Sequence, residues 1–186
     1  MSVLEYCVAA LPKLDNQEEI QLLREKYDPR FYQTRPYIAI VPAFRPATLD
    51  ELESVSAFLS QARRRQPPVA VTFLRCVEVG DRLVCPVATG QEGLAALQRR
   101  MLGASPGPSL TGEPPPEPVL VIGRVSDPDR RIEALTEANR LGRTLGLIDS
   151  VSLIGIEQSE DLRLVASYPF GIGRVDYFDT SAVGGS

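Results

Sequence analysis

Two stretches decide how this sequence folds: Arg35-Pro36-Tyr37-Ile38-Ala39-Ile40-Val41-Pro42-Ala43-Phe44 and, about 82 residues later, Glu117-Pro118-Val119-Leu120-Val121-Ile122-Gly123-Arg124. Each leads through a proline into a run of aliphatic and β-branched residues, the composition of a strand. Side chains two apart on a strand share a face. Tyr37 and Ala39 therefore face one way and Ile38 and Ile40 the other, and Val119 and Val121 are likewise opposed to Leu120 and Ile122. The aliphatic pairs Ile38/Ile40 and Leu120/Ile122 suit a sheet face packed against helices. Tyr37, Ala39, Val119 and Val121 form the face on which the question of function turns.

Outward from these strands, helix starts are legible as capping signals, a side chain that accepts from free backbone N–H groups followed three residues on by Glu. Asp15 with Glu18, Thr48 with Glu51 and Thr89 with Glu92 fit that pattern. A fourth helix opens at Asp127 with Pro128 in its first turn and follows Ile132, Leu135, Ala138, Leu141 and Leu145 to Gly146. The spacing predicts helices near 16–27, 49–65, 90–102 and 128–145, with Arg63, Arg64 and Arg65 as the solvated end of the second. Strands are predicted at 3–10, 36–41, 69–78, 82–87, 118–125, 148–157 and 162–169, with hairpin turns at Gly80-Asp81 and Glu160-Asp161. The order strand, helix, hairpin occurs twice, so two similar lobes are the simplest account.

Residues 104–118 hold six of the sixteen prolines, which makes 104–117 a loop leading into the second key strand. Residues 1–175 are read as a single domain, and residues 176–186, ending Asp-Thr-Ser-Ala-Val-Gly-Gly-Ser, as a tail free to fray. Cys7, Cys76 and Cys85 are an odd number without metal or redox spacing and read as reduced, partly buried thiols. The start, Met-Ser-Val-Leu-Glu, lacks a basic leader, and no apolar run approaches the roughly 18 residues of a membrane span. A cytoplasmic protein with no membrane partner is expected.

The count that excludes most is histidine, of which the 186 residues contain none. That removes the usual proton carrier near neutral pH and the commonest metal ligand. No Ser-His-Asp triad, Cys-His pair or His-ligated zinc can be built within the chain. Asp plus Glu is 24 against 20 for Lys plus Arg, a net charge of −4 that argues against general coating of nucleic acid. Gly171-Ile172-Gly173 reads as a turn, no phosphate-binding glycine loop is present, and no cofactor or metal is expected.

The layout resembles the two-histidine phosphoesterase superfamily of 2'-5' RNA ligase-like and 2',3'-cyclic phosphodiesterase proteins. The likeness lies in an opening strand, a helix ending Tyr-Asp-Pro-Arg-Phe, the Arg35–Phe44 stretch where the family has Pro-His-x-Thr followed by Pro and Phe, and the Glu117–Arg124 stretch where it has a second Pro-His-x-Thr before Ile-Gly-Arg. It covers most of residues 1–170. The resemblance implies an α+β fold that is bilobal, two pseudo-symmetric lobes with antiparallel-rich sheets and flanking helices, the two motifs facing each other across a central cleft. In the family each His is acid or base on a phosphodiester and each hydroxyl holds a phosphate oxygen.

Here the His positions hold Tyr37 and Val119 and the hydroxyl positions Ala39 and Val121. A positioned acid or base contributes typically about 10²–10⁴-fold, and Tyr37, with an ordinary pKa near 10, is a poor base at neutral pH. No catalytic residue is assigned. The four replacements make the motif face apolar, so that the cleft either closes into core or stays open to an apolar or aromatic group, with Arg35, Arg75 and Arg124 as a candidate anion-binding rim. The resemblance thus implies a degenerate, non-catalytic member that binds a nucleotide, another small molecule or a protein partner. Two alternatives stand beside it: a phosphodiesterase with relocated catalytic residues, and an assembly protein that docks a partner chain.

Overall fold

The two key stretches are neighbours at the centre of the sheet. In the computed structural model, which describes residues 3–104 and 117–178, Tyr37–Phe44 (β3) pairs antiparallel with Val119–Arg124 (β7), Tyr37 opposite Val121 and Ile38 opposite Leu120. Val3–Ala10 (β1) flanks β3 and Arg82–Thr89 (β6) flanks β7. The remaining strands are Lys13–Leu14 (β2), Val69–Phe73 (β4), Val77–Val79 (β5), Thr144–Ile148 (β8), Ser150–Glu157 (β9), Leu162–Pro169 (β10) and Asp176–Tyr177 (β11). They run β11-β10-β9-β1-β3-β7-β6-β4-β8-β2 in one hydrogen-bonded path, with β5 paired to β6 beside it. All these pairings are antiparallel, and with four helices the fold is α+β.

Strand alternation divides the sheet into two faces as the sequence predicts. Ile38, Ile40, Leu120 and Ile122 are buried in the main core, joined by Ile20 and Leu23 of α1 (Gln17–Tyr27), Val55 and Leu59 of α2 (Leu49–Ala62), Leu94 and Leu97 of α3 (Gln91–Met101) and Ala134 and Ala138 of α4 (Pro128–Arg140). A second, smaller cluster of Cys7, Ala9, Leu11 and Ile154 packs with Tyr37, Ile156, Leu162 and Leu164.

Two of the four helix starts are capped as the local sequence dictates. Thr48 Oγ1 accepts from the Glu51 N–H (3.2 Å) while the Glu51 carboxylate accepts from the Ala47 N–H (2.6 Å). The Asp127 carboxylate accepts from the N–H groups of Asp129 and Arg130, with Pro128 in the first turn. The other two starts differ. Asp15 spends its carboxylate on the Leu145 N–H (2.8 Å), which docks β2 beside β8, and Asn16 occupies the N-cap position. Thr89 ends β6, and the cap of α3 is Gly90 at φ +98, where a Cβ would stand 2.3 Å from the Ala70 carbonyl oxygen.

The predicted helix 128–145 stops at Arg140. Leu141 and Leu145 keep helical spacing, but Gly142 turns at φ +73, and Thr144–Ile148 instead pairs with β4, Phe73 opposite Thr144 and Val69 opposite Ile148. Partners from a distant strand outweigh a local period there. The predicted strand 69–78 breaks in two at Cys76, whose N–H donates to Asn139 Oδ1 (2.8 Å) and whose carbonyl accepts from Asn139 Nδ2 (3.0 Å). The turns at Gly80 and Glu160 lie where the sequence puts them, both with positive φ.

Arg63 corrects the reading of the arginine run as a solvated helix end. It is 6% exposed, its Nη1 donates to the Pro169 carbonyl (2.7 Å), and its own carbonyl accepts from the Gly171 N–H (3.0 Å). Arg64 and Arg65 are exposed. The predicted free tail starts as a strand: Tyr177 pairs with Ala166, and the Phe178 N–H donates to the Val165 carbonyl (3.0 Å). The body of the proline-rich loop 104–117 and the rest of the tail 176–186 lie outside the described residues. Among the described residues no helix is long and apolar enough to cross a membrane.

Candidate functional site

The face opposite the main core borders an open cleft of about 740 Å³. Tyr37 and Ala39 from β3 and Val119 and Val121 from β7 all line it. The structure brings the four positions together, but not in the arrangement expected. They stand side by side on neighbouring strands, with Tyr37 directly opposite Val121, and form a floor instead of facing one another across a gap. Ala39 is exposed and the other three are partly so, which decides between the two fates of an apolar motif face in favour of an open cleft.

Cys7, Val41, Val84, Ile154, Ile156 and Leu162 extend the apolar floor. Charge enters from the walls. Arg35 and Arg124 line the cleft as the sequence predicts, whereas Arg75 does not: it is exposed and borders a separate cavity of about 10 Å³ with Cys76 and Cys85. Arg75 follows β4, two strands from β7 along the sheet path, and so lies at a distance from the motif floor. Arg124 is held by Asp81 (3.2 Å) and Glu160 (2.6 Å), and the bond from Arg124 keeps the Glu160 carboxyl below the ordinary carboxylate range.

Among the charged wall residues only Arg35 and Arg124 are signalled by the sequence; Arg24, Asp28, Arg30, Arg82 and the carboxylates Glu5, Glu117 and Glu160 are not. Arg24 and Asp28 are 3% and 6% exposed, with Nη2 and Oδ2 3.9 Å apart. Their spacing of four is readable as a helical pair, but its burial comes from Gly123. That glycine shares its face with Val119 and Val121, and a Cβ on it would stand 3.0 Å from Asp28 Oδ2. Asp28 also accepts from the Arg30 N–H (2.9 Å). Burial draws the Arg24 pKa down, and Asp28 opposes that shift.

Tyr37 remains a protonated phenol throughout the neutral range. Burial pushes its pKa up, against the pull of Arg82 and Arg124. Neither Ala39, Val119 nor Val121 can carry a proton, and burial lifts the Cys7 thiol to about 12. The motif floor can therefore bind, and Tyr37 can donate a hydrogen bond, but it contains no group that exchanges protons near pH 7. Among the described residues no cluster of three or more Cys, Asp and Glu side chains is placed to hold a metal ion.

Comparison with known proteins places these features in context. Residues 12–160 match the family described as the 2'-5' RNA ligase superfamily. Among solved structures the chain is similar to E. coli LigT complexed with 3'-AMP, with a TM-score of 0.58 and 10% identity over 92% of this chain and 100% of that one. It is similar to TT0787 of Thermus thermophilus (TM-score 0.57, 12% identity, 91% and 100% covered) and to Kluyveromyces marxianus Usb1 (0.56, 12%, 91% and 99%). At these identities the likeness is one of fold. No curated protein matches the sequence.

Proposed function

We propose that this chain, which belongs to the 2'-5' RNA ligase superfamily, is a non-catalytic binding protein built on that fold. One observation carries the proposal: the cleft is open, yet its motif floor of Tyr37, Ala39, Val119 and Val121 holds neither a proton carrier for neutral pH nor a short-chain hydroxyl to grip a phosphate oxygen. Loss of an acid and a base, each contributing about 10²–10⁴-fold, leaves binding as the activity this cleft supports. Its occupant is a small molecule or nucleotide, or a side chain of a protein partner.

The experiment is a thermal-shift screen of the purified protein against nucleotides, 2',3'-cyclic nucleotides and small organic ions, run beside a turnover assay on 2',3'-cyclic and 2'-5'-linked substrates. A ligand at about a hundred times its dissociation constant adds about 2.7 kcal/mol, which for a chain of this size raises Tm by roughly 5–10 °C. A shift without turnover is the expected result. Turnover that stays at constant specific rate through purification and falls on Tyr37→Phe would instead establish a phosphodiesterase with relocated residues.

A further inference from the structure

The β5–β6 hairpin, which carries Val79, Arg82 and Val84 onto the cleft wall, closes at its base on two thiols. The hairpin pairs Val77 with Val84, Glu78 with Leu83 and Val79 with Arg82, so that one step outward Cys76 stands opposite Cys85. Antiparallel pairs alternate between a wide kind that exchanges backbone hydrogen bonds and a narrow kind that does not. Cys76 belongs to the narrow kind, because its N–H (2.8 Å) and its carbonyl (3.0 Å) are both spent on the side-chain amide of Asn139 in α4 instead of on β6. Narrow pairs have Cα atoms about 4.5 Å apart, within the roughly 4.4–6.8 Å that a disulfide spans.

Both thiols are free and buried in the main core, and both line the cavity of about 10 Å³ that the exposed Arg75 and Gly142 also line. A hydrogen bond joins them. It draws Cys76 below the usual thiol value and, together with burial, pushes Cys85 above it. The thiolate of the pair therefore forms on Cys76, with the Cys85 S–H donating to it. Cys7 lies apart, in the smaller apolar cluster.

We propose that Cys76 and Cys85 are a site of reversible oxidation, joined by a peroxide into a disulfide that staples the base of the hairpin forming one wall of the cleft. The cavity has room for about one water-sized molecule, which sets the class of oxidant as a peroxide and not a bulky disulfide. The Cys76 thiolate attacks one peroxide oxygen, the O–O bond breaks, and the departing hydroxide takes up the proton that Cys76 released, leaving a sulfenic acid on Cys76. The Cys85 sulfur then forms the S–S bond and displaces the sulfenic hydroxyl, which leaves as water with the Cys85 proton. In sum, two thiols and one hydrogen peroxide give one disulfide and two waters, the sulfurs losing the two electrons that the peroxide gains. The product is uncharged and suits a lining of Ile20, Phe73 and Ile122. A soft cation held by both sulfurs requires both to ionise, which the upward shift of Cys85 opposes.

The test treats the reduced, folded protein with hydrogen peroxide, counts thiols in urea and maps peptides without reduction. The count should fall from three to one, the protein should stay monomeric on a non-reducing gel, the map should join Cys76 to Cys85 and leave Cys7 a thiol, and dithiothreitol should restore the full count. In the oxidised protein, amide hydrogen exchange across residues 77–84 should be slower and the urea midpoint higher, since the cross-link restricts the unfolded chain. Cys76→Ser and Cys85→Ser should each abolish the disulfide. Should either variant fail to fold, the wild-type peptide map decides alone. Three thiols surviving peroxide, oxidation that stops short of a Cys76–Cys85 bond, or a disulfide that involves Cys7 would overturn the proposal. A disulfide that leaves exchange across 77–84 unchanged, or lowers the urea midpoint, would overturn the staple.

Discussion

Tyr37 and Val121 are cross-strand partners, directly opposite each other in the β3/β7 pair and both on the cleft side of the sheet. Opposed residues on an antiparallel pair have Cβ atoms about 4.5–5.5 Å apart. The Arg35–Phe44 and Glu117–Arg124 stretches, about 82 residues apart in the chain, thus present Tyr37, Ala39, Val119 and Val121 as one continuous floor.

That adjacency makes the proposed loss of catalysis reversible in principle. Tyr37→His and Val119→His, combined with Ala39→Thr and Val121→Thr, put the family's side chains onto a floor that is exposed or half-exposed. The quadruple variant should remain folded and gain turnover of a 2',3'-cyclic nucleotide above the parent, and His-to-Ala reversion at either position should lower that gain by about 10²-fold or more. A folded variant with no gain would mean that residues beyond the four positions had also diverged.

Arg63 joins the end of α2 to the end of β10, so its removal should be felt where removal of its neighbours is not. Arg63→Ala is expected to cost about 1.5–3 kcal/mol, the range for a hydrogen bond to a charged group. Arg64→Ala and Arg65→Ala, at exposed positions, should stay within about 0.5 kcal/mol. Urea denaturation of the three variants measures the contrast, and equal midpoints would contradict the role of the Pro169 contact.

Cys7 borders the cleft but is buried, and desolvation lifts its thiol to about 12. All three cysteines are free and buried. Native protein at pH 8 should therefore react slowly with a thiol reagent, and urea should release the full set. A ligand filling the cleft should slow labelling of Cys7 further in a Cys76→Ser, Cys85→Ser background, whereas fast labelling of Cys7 in folded protein would contradict its burial.

The contact between α1 and α4 should be acid-sensitive. Glu137 accepts from Lys26 and from the Tyr27 hydroxyl (2.8 Å), and these bonds hold its carboxyl below the ordinary value of 4.5. A folded pKa below the unfolded one adds stability above the unfolded value and loses it as pH falls through the folded value. The difference in stability between wild type and Glu137→Gln, measured by urea denaturation, should thus be largest near neutral pH and shrink as the medium is taken below about 4.5. A difference constant with pH would remove the carboxylate's charge from the account.

Much of this arrangement is readable along the chain because its causes are local. The Thr48 and Asp127 caps act within three residues, and the alternation through Ile38-Ala39-Ile40 and Leu120-Val121-Ile122 sorts core from cleft without knowledge of any partner. The misses share a different cause. Asp15 carries a capping signal but bonds to Leu145, residues 144–145 carry a helical period but pair with β4, and Arg63 looks like a solvated helix end but reaches Pro169. In each case a partner far along the chain, or a strand on the far side of the sheet, outweighs the local preference.

By itself the sequence determined the chemistry that is absent and the face on which it is absent. With no histidine in the chain, and Tyr37, Ala39, Val119 and Val121 on one side of two strands, no folded arrangement could place an imidazole on that face. Only the tertiary structure decided that this face stays open, that Arg75 lies away from it, and that Arg24 and Asp28 are buried on its wall against Gly123. Side-chain chemistry and strand alternation are properties of neighbours in sequence. Burial, charge balance and the fate of a guanidinium's donors depend on which distant surfaces meet, and those are set by the order in which the strands pair.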